Sequence, residues 1–219
     1  MAGGLASTEF SIAVPDSWFE VDLNPVTRRA SIDALVRART RAVPELAENR
    51  SAISRMLRNA ASDAAAGGAL FCGVMAEPVE GTILSASVTV SLLPAPEGGW
   101  TDGDQTNGVA PDAILATLSE KVARSLDDTW TMVTLVDLPR VGRAVRAYGV
   151  EDITLPDRAG WIRTTAMQTF VPLPRSDTVV LIACSSPNVV LVDALHDLFD
   201  ALTATFQFGP SNVERAAHP

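Results

Sequence analysis

Phe10, Ile12 and Val14 alternate with Ser11 and Ala13, a period of two that predicts a short strand ending at Pro15. After a turn at Asp16-Ser17, Phe19, Val21 and Leu23 alternate again as a second strand. Asn24-Pro25 then opens a helix, with Asn suited to the cap and Pro to the first turn. Ile32, Leu35, Val36 and Val43 form its apolar stripe, and Pro44 breaks it and starts a second helix. Leu46, Ile53, Met56, Leu57, Ala60 and Ala64 line one side of that helix, which Gly67-Gly68 ends. A hairpin follows. Leu70, Cys72, Val74 and Ala76 run toward a turn around Glu80-Gly81. On the return strand Leu84, Ala86, Val88, Val90 and Leu92 point one way, and Ser85, Ser87, Thr89 and Ser91 the other. A strand so divided is buried on one face, which favours an antiparallel sheet.

A loop rich in Pro, Gly and Asp spans Pro94 to Ala110, and Pro111-Asp112 opens a third helix with Ile114, Leu115, Leu118, Val122 and Leu126 turned inward. Three strands are expected at Trp130–Leu138, Val141–Val150 and Trp161–Val171. Thr178–Ser185 is apolar throughout, which predicts a central strand covered on both faces. Ser186-Pro187 starts a last helix with its stripe at Leu191, Leu195, Leu198, Leu202 and Phe206. The polar tail, about residues 210–219, is expected to be disordered. The order is ββααββαββββα. It predicts an α+β fold with a largely antiparallel sheet sandwiched by helices. No break in composition divides the 219 residues, so residues 1–219 are expected to form a single domain.

Composition sharpens this picture mainly through charge. The formal net charge is -9, yet eight arginines (Arg28, Arg29, Arg37, Arg39, Arg41, Arg50, Arg55 and Arg58) face only Asp33, Glu45 and Glu48 within residues 28–58. That segment is +5, and the rest of the chain, with nine bases against 23 acids, is -14. Two readings stand: arginines on a solvated helical face, or a surface for an acidic protein partner. Nucleic acid is not an expected partner, because a pI near 4.7 repels phosphate and no recognised binding motif accompanies the arginines. The longest aliphatic run, Val179–Cys184, is far shorter than the ~20 residues that span a bilayer. Residues Met1 to Ser7 lack the basic and apolar regions of a signal peptide, so a cytoplasmic address is expected. Cys72 and Cys184 have no metal-site spacing and read as reduced, buried thiols.

Catalytic chemistry finds little to stand on. His196 lies beside Asp193, Asp197 and Asp200 on the last helix, where spacings of three and four place an Asp-oriented base. That side lies opposite the leucine stripe, so the group is expected on a solvated polar face. Asp102–Gly108 has some features of a calcium loop, but Asn107 and Ala113 stand where such a loop needs Gly and Glu. No phosphate-cradling glycine motif or nucleophile elbow is present, and no cofactor is expected. Trp100, in a polar glycine-rich loop, reads either as a binding anchor or as a lid folded back on the sheet. Trp18 has the polar parity of its strand and reads as partly exposed or as packed under the first helix.

The opening Phe10-x-Ile12-x-Val14-Pro15-x-x-Trp18, the late hairpins, and the Pro187 helix ending Phe199-Asp200-Ala201-x-x-Ala204-x-Phe206 resemble the PsbP/Mog-like superfamily, which includes DcrB-like bacterial proteins. The resemblance implies an antiparallel sheet between helices and a binding role without catalysis, as in adaptor chaperones for secreted effectors. The helical pair Pro25–Gly67 looks larger than is usual in that group, and no member's functional motif matches, so no site residue carries over. The function expected is a non-enzymatic protein-binding domain, most concretely a cytoplasmic adaptor or chaperone for a secreted or toxic partner. The alternatives are a small-molecule binder with an apolar pocket between sheet and helices and, behind it, a carboxylate-based enzyme. The Arg28–Arg58 arginines and Trp100 are the candidate interaction surface.

Overall fold

The alternating strand Leu84–Leu92 becomes part of β4 (Thr82–Pro94), which organises the sheet. The structure is a computed structural model that describes residues 9–79, 82–95, 109–124, 130–154 and 160–209. The remaining elements are β1 (Phe10–Ser11), β2 (Phe19–Glu20), α1 (Arg28–Ala42), α2 (Arg50–Ala66), β3 (Ala69–Val79), α3 (Pro111–Arg124), β5 (Trp130–Leu138), β6 (Gly142–Thr154), β7 (Trp161–Pro172), β8 (Thr178–Ser186), α4 (Val192–Ala204) and β9 (Gln207–Phe208). Seven strands form one antiparallel sheet in the order β2-β3-β4-β8-β7-β6-β5, and β1 pairs with β9 in a separate ribbon. The expected α+β class and order of elements hold. β8 is the central strand, and every residue of it is buried or half-buried.

Register assigns the helices to faces. Val74 stands opposite Ser87, Ser87 opposite Ser185, and Ser185 opposite Ala166, so these residues share one face. On that face Cys72, Val74 and Ala76 pack under Ile32 and Val36 of α1 and Ile53, Leu57 and Ala61 of α2. Further along it, Val145 and Phe170 pack under Ile114, Leu115 and Leu118 of α3. The other face carries Met75, Val88, Ile182 and Met167 against Leu195, Phe199 and Leu202 of α4. Phe10 stacks on Phe206 at 5.7 Å between ring centres, which ties the β1–β9 ribbon to the α4 side.

Several boundaries move for local reasons. Residues 12–14 leave the expected first strand because Ala13 N–H donates to the Thr205 hydroxyl (2.9 Å) rather than to a strand. The first helix begins at Arg28, not Pro25. Asn24 Oδ1 accepts the Val26 N–H (3.0 Å) and the Asn24 carbonyl accepts the Thr27 and Arg28 N–H groups (3.2 and 2.9 Å), so Asn24 closes a capping turn over residues 25–27 and the regular helix follows that turn. Pro44–Leu46 forms one 3-10 turn, and α2 starts only at Arg50. Trp18 is 7% exposed and buried on the α4 side of the sheet, neither on the surface nor under the first helix. Phe199, at 0%, is the centre of the α4 stripe, whereas Leu191 is 42% exposed. The tail 210–219 lies outside the described residues.

Candidate functional site

Helices α1 and α2 are joined by a short link, so they run antiparallel and lie side by side. Their apolar stripes bind them to β3, and the opposite side of the pair is polar. Along the outer seam Arg58 of α2 donates to Asp33 Oδ1 of α1 at 2.6 Å. That hydrogen bond, aided by the charges of Arg58, Arg29 and Arg37, holds the Asp33 carboxyl below the usual carboxylate range. Two adjoining grooves open on either side of this pair. One, about 330 Å³, is lined by Asp33, Arg37, Arg50, Ser51, Ser54 and Arg58. The other, about 410 Å³, is lined by Arg28, Arg29, Arg58, Asn59 and Ser62. Five arginines therefore share one seam with a single acid.

The start of α1 is built to hold Arg28 and Arg29 in place. Asp22 accepts the Thr27 hydroxyl (2.6 Å) and the Asn24 N–H (2.9 Å), bonds that lower its own pKa, the Thr27 bond most. No acid sits in the first turn of α1 itself, and Asp22 lies just ahead of it against Thr27, the residue that precedes the helix. The seam selects among the eight arginines expected from sequence. Arg39 turns away to Glu77 of β3 (3.0 Å) in a half-buried pair. Arg41 and Arg55 are exposed and line neither groove. Trp100 and the Asp102–Gly108 loop lie outside the described residues.

A second polar cluster lies beneath α4, where the sequence marked His196 and Asp200 but not Arg146 or the threonines. Arg146 of β6 is 7% exposed, pairs with Asp200, and donates to the hydroxyls of Thr203 (2.8 Å) and Thr169 (3.3 Å). His196, expected on the solvated side, instead turns to the sheet. Its Nε2 lies 2.8 Å from the buried Thr165 hydroxyl, and its ring packs edge-on against Tyr148 at 5.3 Å. Burial lowers its pKa, assisted by Arg146 and opposed by Asp193 and Asp197. Its Nε2 is thus taken up by a hydroxyl that has no solvent exposure. Burial also pushes the Cys72 thiol up to about 11 and the Cys184 thiol up to about 12. Among the described residues no group of three or more His, Cys, Asp or Glu is placed to hold a metal ion. No helix of the described chain is long and apolar enough to cross a membrane.

A third feature is apolar. Ile153 and Ile162 stand opposite each other at the end of the β6–β7 hairpin, 43% and 41% exposed, beside Trp161 at 61%. Arg163 lies over the Trp161 ring at 5.2 Å and forks onto Asp152 (2.8 and 2.9 Å). The turn carrying exposed Val190 and Leu191 packs against β7. Sequence reading placed Trp161 in a strand without noting its exposure. The available sign was Trp161-Ile162 opening a strand directly after Gly160, ahead of any element that could cover it.

No family model matches this chain, and no curated protein matches it in sequence. Among solved structures, the chain is similar in fold to the crystal structure of LpqN from Mycobacterium tuberculosis, a protein described as involved in cell envelope biogenesis. The likeness has a TM-score of 0.50 at 13% identity and covers 95% of this chain and 87% of LpqN, which identifies a shared fold.

Proposed function

We propose that this chain is a non-enzymatic protein-binding domain whose α1–α2 seam takes an acidic segment of a partner protein. One observation carries the reading: Arg28, Arg29, Arg37, Arg50 and Arg58 converge on one seam with only Asp33 among them, on a chain of net charge -9. Evenly scattered arginines would decorate a solvated face; these line two grooves. The finer form of the reading is a cytoplasmic adaptor or chaperone for a secreted or toxic partner, acting as a single domain. The PsbP/Mog-like resemblance supports it. LpqN's described part in cell envelope biogenesis is compatible with a binding role for a chain of this fold. Both grooves are lined by polar side chains, and neither lies between sheet and helices.

Fluorescence anisotropy with a labelled Glu-rich peptide and a neutral peptide of equal length tests this. The acidic peptide is expected to bind selectively and to weaken as salt rises, because exposed charges are screened beyond about 8–10 Å at physiological ionic strength. A variant carrying Arg29→Glu, Arg37→Glu and Arg50→Glu should lose that binding while keeping its circular dichroism. Equal binding of both peptides, or binding unchanged in the variant, refutes the proposal.

A further inference from the structure

The seven-stranded sheet ends differently on its two sides. At one edge β2 is two residues long, and the stretch of β3 that runs past it carries Pro78 and Glu77, the latter tied to Arg39. Short length, charge and proline are devices that keep an edge from pairing with another chain. The other edge is β5, nine residues that pair one to one with β6 from Trp130 to Leu138. Its sequence holds no proline, lysine or arginine and a single charge, Asp137. Among the described residues no strand pairs with its outer side. An edge of this kind presents a row of backbone donors and acceptors to one more strand.

The helices leave the plane of that edge free. α3 packs above β5 and β6, where Ile114, Leu115 and Leu118 gather Val133, Leu135 and Val145. α4 packs on the opposite face over β7 and β8, further in. Strands lie ~4.8 Å apart, so a helix centred between β5 and β6, or over β6, would stand about 10–14 Å from its mate across a joint at β5. Packed helices need about 8–10 Å, and the two would flank the joint without collision.

The edge is also complementary to itself. Two-fold antiparallel pairing keeps each face of the sheet continuous, so residues of equal parity meet. The register that uses all nine residues centres on Thr134. It sets Thr134 against Thr134 of the second copy, Val133 against Leu135, Met132 against Val136 and Thr131 against Asp137. Val133 and Leu135 lie on the α3 face, and Val136 and the 45% exposed Met132 on the α4 face. Apolar residues meet apolar residues, threonine meets threonine, and each carboxylate meets a hydroxyl. A parallel, in-register addition would instead bring Asp137 beside Asp137. Because the opposite edge is blunted, growth stops at two copies.

We propose that β5 is a self-recognition edge, through which two copies of this chain join as an antiparallel, two-fold dimer centred on Thr134. This surface is separate from the arginine seam, which lies over β3 toward the other side of the sheet.

Sedimentation velocity of the full chain from about 1 to 200 µM, at low and high salt, tests the proposal. The expected result is a monomer–dimer equilibrium with a Kd of about 1–100 µM, since nine residues a side fall short of the ~20–30 of a standard interface. With a net charge of -9 on each copy, the dimer should tighten as salt rises. Thr134→Lys and Thr134→Glu each set like charges face to face and should weaken the dimer roughly fivefold or more, whereas an equimolar mixture of the two recovers it. Thr131→Lys meets Asp137 of the second copy twice per dimer and should tighten it roughly fivefold at low salt. If circular dichroism shows that the Thr134 variants do not fold, Thr131→Lys and the salt dependence of the unaltered chain carry the test. A monomer throughout the range overturns the proposal. A dimer that loosens with salt or survives both Thr134 variants overturns it as well, because another surface then makes the contact. A mixture no tighter than its components, or no gain from Thr131→Lys, overturns the register centred on Thr134.

Discussion

Replacing Asp200 with Asn is expected to destabilise this chain more than deleting Arg146, the residue it pairs with. Arg146 is a buried cation, 7% exposed, bonded to Asp200, Thr203 and Thr169. Asp200→Asn keeps an acceptor oxygen but removes the countercharge. Removing one partner of a fully buried ion pair costs about 3–5 kcal/mol. The Asp200 side chain is 61% exposed, so water screens part of that, and two hydroxyls still accept from the guanidinium. The expected cost is about 2 kcal/mol. Arg146→Met removes the cation along with its demand for partners. Thr203 still donates to the Asp200 carbonyl (3.0 Å), and Asp200 itself is free to face water. The Thr169 hydroxyl, with no exposure, loses an interaction worth about 1 kcal/mol, and the Met stem fills most of the space. The double variant Arg146→Met/Asp200→Asn should match Arg146→Met alone, giving a coupling of about 2 kcal/mol in a double-mutant cycle. Urea unfolding followed by far-ultraviolet circular dichroism measures all three, with equal slopes showing that the unfolded state is unchanged. For a chain of this size about 2 kcal/mol corresponds to a fall of roughly 4–8 °C in melting temperature. A cost above ~3 kcal/mol for Arg146→Met, with Asp200→Asn within ~0.5, would refute the reasoning and make the guanidinium a packing element instead.

Phe199→Ala, at the fully buried centre of the α4 stripe, should cost about 3–5 kcal/mol. Leu191→Ala, at a 42% exposed position, should stay within about 0.5 kcal/mol in the same urea assay. His196 has a folded pKa below its ordinary 6.5, so the unfolded chain takes up the proton first as pH falls. Stability is therefore expected to decline as pH drops below 6.5 toward the folded pKa, and His196→Gln should flatten that part of the profile. Neither Cys72 nor Cys184 should react with a thiol reagent at about pH 8 in the native chain, since both are 1% exposed with pKa values pushed up to about 11 and about 12. Both should react after unfolding, and labelling of the native state would contradict their burial.

The elements were legible because their periods differ. A period of two in Leu84–Leu92 and a period near 3.6 in Ile53–Ala64 leave no overlap. The partners of each strand were not legible. Continuous apolar character marked β8 as central, but only long-range pairing places it between β4 and β7, about a hundred residues apart in its register with β4. His196 shows how a small error at a helix propagates. A stripe drawn through Leu191, Leu195, Leu198 and Leu202 puts His196 on the far side. The observed stripe runs through Leu195, Phe199, Leu202 and Phe206, which turns His196 and Thr203 toward β6 and β7. The difference lies in Leu191 and Leu198: Leu191, in the 3-10 turn before the helix, is left 42% exposed, and Phe199 rather than Leu198 is the fully buried residue of the stripe.

The arginine surface was legible as a number but not as a site. Charge counting weighs all eight arginines alike, whereas position on two helices separates them. Arg29, Asp33 and Arg37 are four apart on α1, and Arg50, Ser54, Arg58 and Ser62 are four apart on α2, so each set forms one ridge. Antiparallel neighbours joined by a short link bring such ridges edge to edge. Arg39 is two residues beyond Arg37, about 200° around the helix, and lands on β3 against Glu77. Arg55 follows Ser54 by one residue, about 100° off the ridge, and lines neither groove. The i,i+4 rows were therefore present in the sequence, and the only missing step was knowing which side of each helix β3 would claim. Once Ile32, Val36, Ile53 and Leu57 are assigned to the sheet, the seam and the Asp33–Arg58 pair at its middle follow from helix geometry. That dependence makes a specific claim about energetics. The apolar stripes set where the arginines stand, so conservative changes such as Ile53→Val should lower stability by about 0.5–1.5 kcal/mol without altering binding of the Glu-rich peptide, whereas Arg37→Gln should weaken that binding at nearly unchanged stability.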